Sequence, residues 1–226
     1  MTHYAGLRNA PEYNARNKGD GLEMMCRLRA ASTSLVFFDP QYRELLDKMD
    51  YGNDDSPRAN LPQMIPADIV QFYLRAARIL RPSGHLMWWT DKMGVGRGAA
   101  VIPGLQLVDM IVWEKPRWGQ GYRSRRKCEY LWVYQKLPTR AKDVWTDHGI
   151  PDVWTVEREK EQLGKHPGII VGSPHPHAKP EGLQRRLIEA VTRPGQLVVD
   201  PCAGGYSVLR CCQASGRRYL GCDLLG

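Results

Sequence analysis

Two segments of this 226-residue chain carry residue types suited to chemistry, and each begins with a run of apolar residues. The first is Leu35-Val36-Phe37-Phe38-Asp39-Pro40-Gln41-Tyr42. Four uninterrupted apolar residues read as a strand buried on both faces. Ligands of open α/β sheets sit beyond the carboxyl ends of the strands, which places Asp39 and Tyr42 at the rim of a site. Pro40 stiffens that turn by fixing φ and lacking an N–H. A plain strand-ending turn is the alternative, since Asp and Pro are common turn residues. The second segment is Leu197-Val198-Val199-Asp200-Pro201-Cys202-Ala203-Gly204-Gly205-Tyr206, a buried strand running into a turn with two glycines. A helix over 207–215 and a strand over 218–223, ending in Asp223, complete a β-α-β unit. Glycine lets the backbone approach a ligand, and the acid can accept hydrogen bonds from ribose hydroxyls. Asp223 lies 18 residues after Gly205, close to the roughly 20 of nucleoside-binding units. The adjacent glycines, preceded by Asp-Pro, set it apart from the dinucleotide fingerprint.

The elements that must position these residues are legible as periodicities. Gly19-Asp20-Gly21-Leu22 predicts a turn and a short helix with Asp20 as N-cap. Pro66 opens a helix whose apolar positions, Ile69, Phe72, Tyr73, Ala76, Ala77 and Leu80, share one face until Arg81-Pro82-Ser83-Gly84 stops it. Strands are expected at 85–89, 107–113 and 130–134, and a helix over 180–191. Gly94-Val95-Gly96-Arg97-Gly98 resembles a phosphate cradle only superficially. Residues 43–66 read as a long loop, and 137–178 are too mixed to assign. Between two of the strands lie Trp118, Tyr122, Arg123, Arg125 and Arg126, basic residues and aromatics that suit phosphates and bases. A solvated hairpin tip is the plainer alternative.

Composition narrows the class. Hydrophobic content of 42% and charged content of 25% fit a soluble globular chain. A net charge of +8 favours an anionic partner, nucleic acid first. No run of 18 apolar residues exists, and the start of the chain lacks an apolar signal-peptide core. The expectation is a cytoplasmic protein without a membrane partner. The six cysteines form no Cys-x-x-Cys pair, which argues for reduced, mostly buried thiols and against a metal site.

Taken together, these motifs resemble the amino-directed DNA methyltransferases of the permuted, β-class order. Asp39-Pro40-Gln41-Tyr42 is similar to the family's Asp-Pro-Pro-Tyr motif. His175-Pro176-His177-Ala178-Lys179-Pro180-Glu181 resembles its His-Pro-Thr-x-Lys-Pro-Glu segment, and Asp200–Gly205 its cofactor loop. Gly221-Cys222-Asp223 resembles the ribose-binding strand end. Val112-Trp113-Glu114-Lys115, Gly121-Tyr122-Arg123 and Glu129-Tyr130 resemble segments flanking the target-base pocket. Three residues depart from the pattern: Gln41 for the second proline, Cys202 for phenylalanine and Tyr206 for the second glycine.

The resemblance implies a single α/β domain of Rossmann-like methyltransferase fold. Its sheet would be mostly parallel and twisted, with one antiparallel hairpin strand, helices on both faces and circularly permuted motifs. A small target-recognition insertion is expected at about 137–174, with Trp145, His148 and Trp154 as candidate base readers. The cofactor implied is S-adenosylmethionine. Asp223 would accept from its ribose, Asp200, Cys202, Ala203 and Gly204 would line its methionine side, and Lys179 with His177 would approach its carboxylate. Asp20 and Leu22 would flank the adenine, with Asp39 also at the cofactor. Asp39 and the Pro40 carbonyl would accept hydrogen bonds from an exocyclic amine, while Gln41 and Tyr42 meet a base that has left the duplex. An aspartate at the motif start, where cytosine-N4 enzymes often have serine, favours adenine N6. The partner implied is DNA, met by a monomer or homodimer. The alternatives are a nucleic-acid-binding module that has lost catalysis, motivated by Gln41 and Tyr206, and methylation of cytosine N4 or of RNA.

Overall fold

The computed structural model describes residues 10–40, 64, 66–119, 123–165 and 178–224. Eight strands form one sheet. In chain order they are β1 (Asn17–Lys18), β2 (Thr33–Phe38), β3 (Leu80–Thr90), β4 (Leu105–Gly119), β5 (Arg126–Lys136), β6 (Val153–Trp154), β7 (Leu197–Asp200) and β8 (Arg218–Asp223). Their spatial order is β1-β8-β7-β2-β3-β5-β4-β6. All neighbours run parallel except at β5, which is antiparallel to both β3 and β4. The mostly parallel sheet with a single opposed strand is the one expected from the sequence.

Helices cover both faces, and β2 shows why its apolar run has no polar interruption. Leu35 and Phe37 point into a core shared with α6 (Glu181–Val191) and α7 (Ser207–Ala214). Val36 and Phe38 point the other way, onto α1 (Gly21–Arg27) and α2 (Pro66–Ile79). Alternate side chains of a strand face opposite sides, so a strand between two helical layers needs apolar residues at every position. Burying each of these side chains contributes roughly 1.5–3 kcal/mol. The chain leaves β2 through α2 to reach β3 on one side, while β7, on the other, arrives much later through α6. Strand order therefore reverses between β2 and β7, where open α/β sheets hold their ligands.

The segment too mixed to assign proves largely structural as far as it is described. It contains α4 (Ala141–Val144), β6 and α5 (Val156–Lys165). Trp154 is fully buried and its indole N–H donates to Glu159 at 2.8 Å. Glu159 also accepts from the backbone N–H groups of Gly182 (2.8 Å) and Leu183 (3.3 Å). These bonds cap α6, whose N-cap position is Pro180 and supplies no side-chain acceptor. Trp145 packs edge-on against His85, 5.8 Å between centroids. Trp145 and Trp154 thus serve the core rather than base reading, whereas His148 is exposed. The expected turn at 81–84 is instead the irregular start of β3, with Ser83 at φ 62°. Gly94–Gly98 lies in and just after a short helix, α3 (Lys92–Arg97), capped by Asp91.

All six cysteines are free: Cys211, Cys212 and Cys222 are buried, Cys128 and Cys202 half-buried, and Cys26 exposed. Among the described residues no helix is long and apolar enough to cross a membrane. None of them form a group of three or more potential metal ligands.

His85, 2% exposed on β3, is held neutral: burial first, then nearby Arg81, lowers its pKa to about 4. The unfolded chain takes up this proton near pH 6.5 and the fold does not, so stability is complete above about 6.5 and falls as pH drops towards 4. The loss attributable to this residue reaches about 3 kcal/mol. Denaturant titrations between those pH values are expected to show the decline flattened in His85→Gln; an equal slope in the variant contradicts this assignment.

Candidate active site

The carboxyl ends of β2 and β7 open into one cleft. Its floor is Phe37 and Trp89, and its sides carry Asp39, Lys179, Asp200 and the loop from Cys202 to Gly205. Val36 is level with Val199 in the sheet, so Asp39 projects just past Asp200 at the same end. Asp223, at the end of neighbouring β8, accepts a hydrogen bond from Gly204 N–H at 3.2 Å. The Ala203 N–H donates to the Cys222 carbonyl at 3.0 Å. These bonds fold the loop back over β8, so the carboxylates of residues 39, 200 and 223 share one end of the sheet.

Asp20 joins from the opposite end of the sequence. It caps α1, accepting from Leu22 N–H (2.7 Å) and Glu23 N–H (3.3 Å), as its N-cap pattern predicts. β1 runs parallel to β8, and Gly19 N–H donates to the Asp223 carbonyl at 3.0 Å. Gly21, the residue after Asp20, leaves no room for a side chain: a Cβ there would lie 1.9 Å from the Pro201 carbonyl oxygen. Leu22 and Cys202 pack against the same apolar cluster. Tyr206, at the position of the missing glycine, adopts φ 56° and is 2% exposed. Its hydroxyl donates to the Asn17 carbonyl at 2.7 Å, so it fastens β1 and is absent from the cleft wall.

The electrostatics are dominated by acid. Burial, then Asp39, and more weakly Asp223 push the Asp200 carboxyl up to about 8, against a hydrogen bond from Cys202 N–H. Burial and then Asp200 push the Cys222 thiol up to about 12, and the Cys202 thiol moves the same way. These thiols stay protonated and supply no nucleophile. Lys179 Nζ lies 3.0 Å from Asp39 Oδ2 and 2.9 Å from Glu129 Oε2, with the Trp89 ring centroid at 5.5 Å. Burial alone would lower the Lys179 pKa, but the two carboxylates outweigh it and the net shift is upward. Lys179, which the family resemblance assigns to a ligand carboxylate, pairs here with Asp39 and Glu129. The sequence places Glu129 beside the target-base pocket but shows neither its pairing with Lys179 nor the close packing of Gly21, because each involves a partner more than 40 residues away.

On the expected nucleic-acid side, Trp118 is 69% exposed near the end of β4, and Arg123 and Arg125 are exposed beyond it. Arg126 differs: its guanidinium turns inward, Nη1 3.6 Å from Asp91 Oδ2. Gln41, Tyr42, Tyr122 and His177 lie outside the described residues, as do residues 43–63.

A nucleoside-type loop and an acid-rich cleft at the reversal point of a Rossmann-like sheet define the methyltransferase class of this fold. Among solved structures, PvuII DNA methyltransferase (cytosine-N4-specific) matches with a TM-score of 0.63, 16% identity, and coverage of 98% of this chain and 86% of that one. M1.HpyAVI in complex with SAM matches with a TM-score of 0.61, 17% identity, and coverage of 92% and 91%. The DNA methylase profile of the N6/N4 methyltransferases matches residues 33–225, and the chain belongs to that family. Type II methyltransferase M.HhaII of Haemophilus parahaemolyticus is 43% identical over 220 residues, covering 94% of this chain and 91% of the relative.

An acid whose pKa is raised in the fold stabilises the protein most below its unfolded value of 3.8, and that stability is lost as pH rises through about 8. Asp200→Asn is therefore expected to stabilise the ligand-free protein by more than about 1 kcal/mol above pH 8, at the expense of ligand binding. Chemical denaturation between about pH 4 and 8 checks this, with wild type losing stability relative to the variant across that window. Parallel wild-type and variant curves contradict it.

Proposed function

We propose that this chain methylates the exocyclic N6 of adenine in DNA at a specific sequence, using S-adenosylmethionine. The observation that carries the reading is the shared cleft in which Asp39, at the end of β2, stands beside Asp200 and the Cys202–Gly205 loop. The residues suit that cofactor. Asp39 and Asp223 border the cleft, and burial together with Asp39 keeps the Asp200 proton in place to about pH 8, an acidic setting that would accommodate a sulfonium cation. Gly204 and Gly205 carry no side chain to fill the cleft, and Asp223 lies where ribose hydroxyls would find an acceptor.

When bound, the cofactor supplies an electrophilic methyl group on sulfur. The chain's part is to make a poor nucleophile attack it. An exocyclic amine has its lone pair delocalised into the ring. Hydrogen bonds from its two N–H groups to the Asp39 carboxylate and the Pro40 carbonyl draw the nitrogen towards tetrahedral geometry. They also stabilise the positive charge that grows on it. The nitrogen would take up the methyl group, the donor would leave as a neutral thioether, and the amine, held by Asp39 and the Pro40 carbonyl, would release one proton to solvent. No covalent enzyme intermediate is needed.

Asp20 and Leu22 flank the cofactor's adenine side, with Cys202, Ala203 and His177 contributing to its binding. Trp118, Tyr122, Arg123 and Arg125 contact DNA, while Gln41 and Tyr42 meet the extruded base. A single domain carries all of this, in the cytoplasm, as monomer or homodimer. An aspartate rather than a serine at position 39 supports adenine over cytosine.

The direct test is labelled-methyl transfer to DNA of mixed sequence, with sequencing of modified bases in cells expressing the protein. N6-methyladenine at one short motif is the expected product. N4-methylcytosine, methylated RNA or no transfer each contradicts the reading. Asp39→Ala is expected to lower transfer by at least about 100-fold while cofactor affinity stays within about threefold. Wild-type turnover in that variant removes Asp39 from the mechanism.

A further inference from the structure

The cation that steadies Asp39 is itself held by an acid from another part of the sheet. Lys179 Nζ reaches Asp39 Oδ2 at 3.0 Å and Glu129 Oε2 at 2.9 Å. The other oxygen of Glu129, Oε1, lies 3.3 Å from Lys115 Nζ on β4. Four charges thus alternate in sign from the β4–β5 hairpin to the cleft: Lys115, Glu129, Lys179, Asp39. Burial alone would raise the Glu129 pKa, but Lys179 and then Lys115 outweigh it and the net shift is downward, so the acid is ionised at neutral pH.

The row has a fixed end and a loose end. Glu129 sits within β5, paired in register with Trp113 of β4. Asp39 follows the last residue of β2 and its side chain is 33% exposed. A lysine ammonium on a four-carbon stem is a mobile point charge, and one acceptor on a turn leaves it many conformers. A second acceptor on a rigid strand removes that freedom. Glu129 also takes a share of the lysine's charge. Without it, the whole ammonium turns on Asp39, draws the carboxylate inward and weakens it as an acceptor for a third group.

We propose that Glu129 is a positioning residue for methyl transfer: by clamping Lys179 it fixes where the Asp39 carboxylate stands at the mouth of the cleft. The assignment rests on the reading of Asp39 as acceptor for the target amine. Displacing a reacting group by about 1 Å costs on the order of 100-fold in rate. Glu129→Gln is therefore expected to lower kcat by about ten- to a hundredfold. Affinity for S-adenosylmethionine and the melting temperature should remain close to wild type.

A double-substitution cycle with Lys179→Met separates positioning from a general structural effect. If Glu129 acts through Lys179, adding Glu129→Gln to Lys179→Met lowers kcat by less than about twofold. Glu129→Asp should recover part of the rate lost in Glu129→Gln. Independent multiplicative losses in the double variant overturn the proposal, as does a Glu129→Gln effect confined to cofactor affinity. A readout free of activity is the slowly exchanging Lys179 ammonium resonance in nitrogen-detected NMR, expected in wild type and lost in Glu129→Gln. An unaltered resonance overturns the clamp. Absence of transfer by wild type together with loss of the resonance overturns only the reading of function.

Discussion

Like charges crowded into a half-buried space must be compensated, and this constraint shapes the end of the sheet where β2, β7 and β8 finish. Asp39, Asp200 and Asp223 meet there, and each is treated differently. Asp39 has Lys179, Asp223 has the Gly204 N–H, and Asp200, with a hydrogen bond from Cys202, keeps its proton to about pH 8. Low dielectric makes an uncompensated charge costly, so burial and the nearness of Asp39 keep Asp200 protonated. Strand order, loop glycines and the buried lysine all bring this acid cluster together without collapsing it.

The parts of the site come from widely separated stretches of chain. The first β-α unit supplies Asp20, the central strand Asp39, the hairpin Glu129, and the last β-α-β unit Asp200 and Asp223. A parallel sheet with helices on both faces makes this possible, because every strand except β5 delivers its carboxyl end to the same side. The opposed strand has its own use. β5 brings Glu129 to the cleft at its beginning rather than its end, directly after the exposed hairpin residues. The surface that would meet DNA and the acid that holds Lys179 are therefore only a few residues apart.

Much of this was legible in the sequence, for physical reasons that also explain the omissions. The continuous apolar runs of β2 and β7 announce strands between two helical layers. The Asp20 cap and the period of α2 are local patterns, and local patterns survive without a partner in view. Asp39, Asp200 and Asp223 could be read because a strand followed by an acid places the acid by itself. Gly21 gave no such signal, since only the proximity of Pro201 requires it. Glu129 is legible as a neighbour of the target-base pocket, but nothing local announces its pairing with Lys179. Lys179 is legible as a site residue from its Lys-Pro context, while its ion pairs with Asp39 and Glu129 join distant stretches of chain and leave no local sign. Trp154 was read as a surface reader because an isolated tryptophan amid polar residues carries no sign of the Glu159 cap that buries it. Tyr206 departs from the family pattern at the second glycine. Its left-handed backbone turns the ring away to fasten β1.

The central claim is that these remote segments close around one methyl donor. Hydrogen exchange of the backbone amides, with and without S-adenosylmethionine, tests it most directly. Added protection is expected together at residues 19–23, 38–40, 200–207 and 221–224, with the outer strands β4 and β6 unchanged. Protection at only one of these segments, or spread evenly over the molecule, would contradict the account.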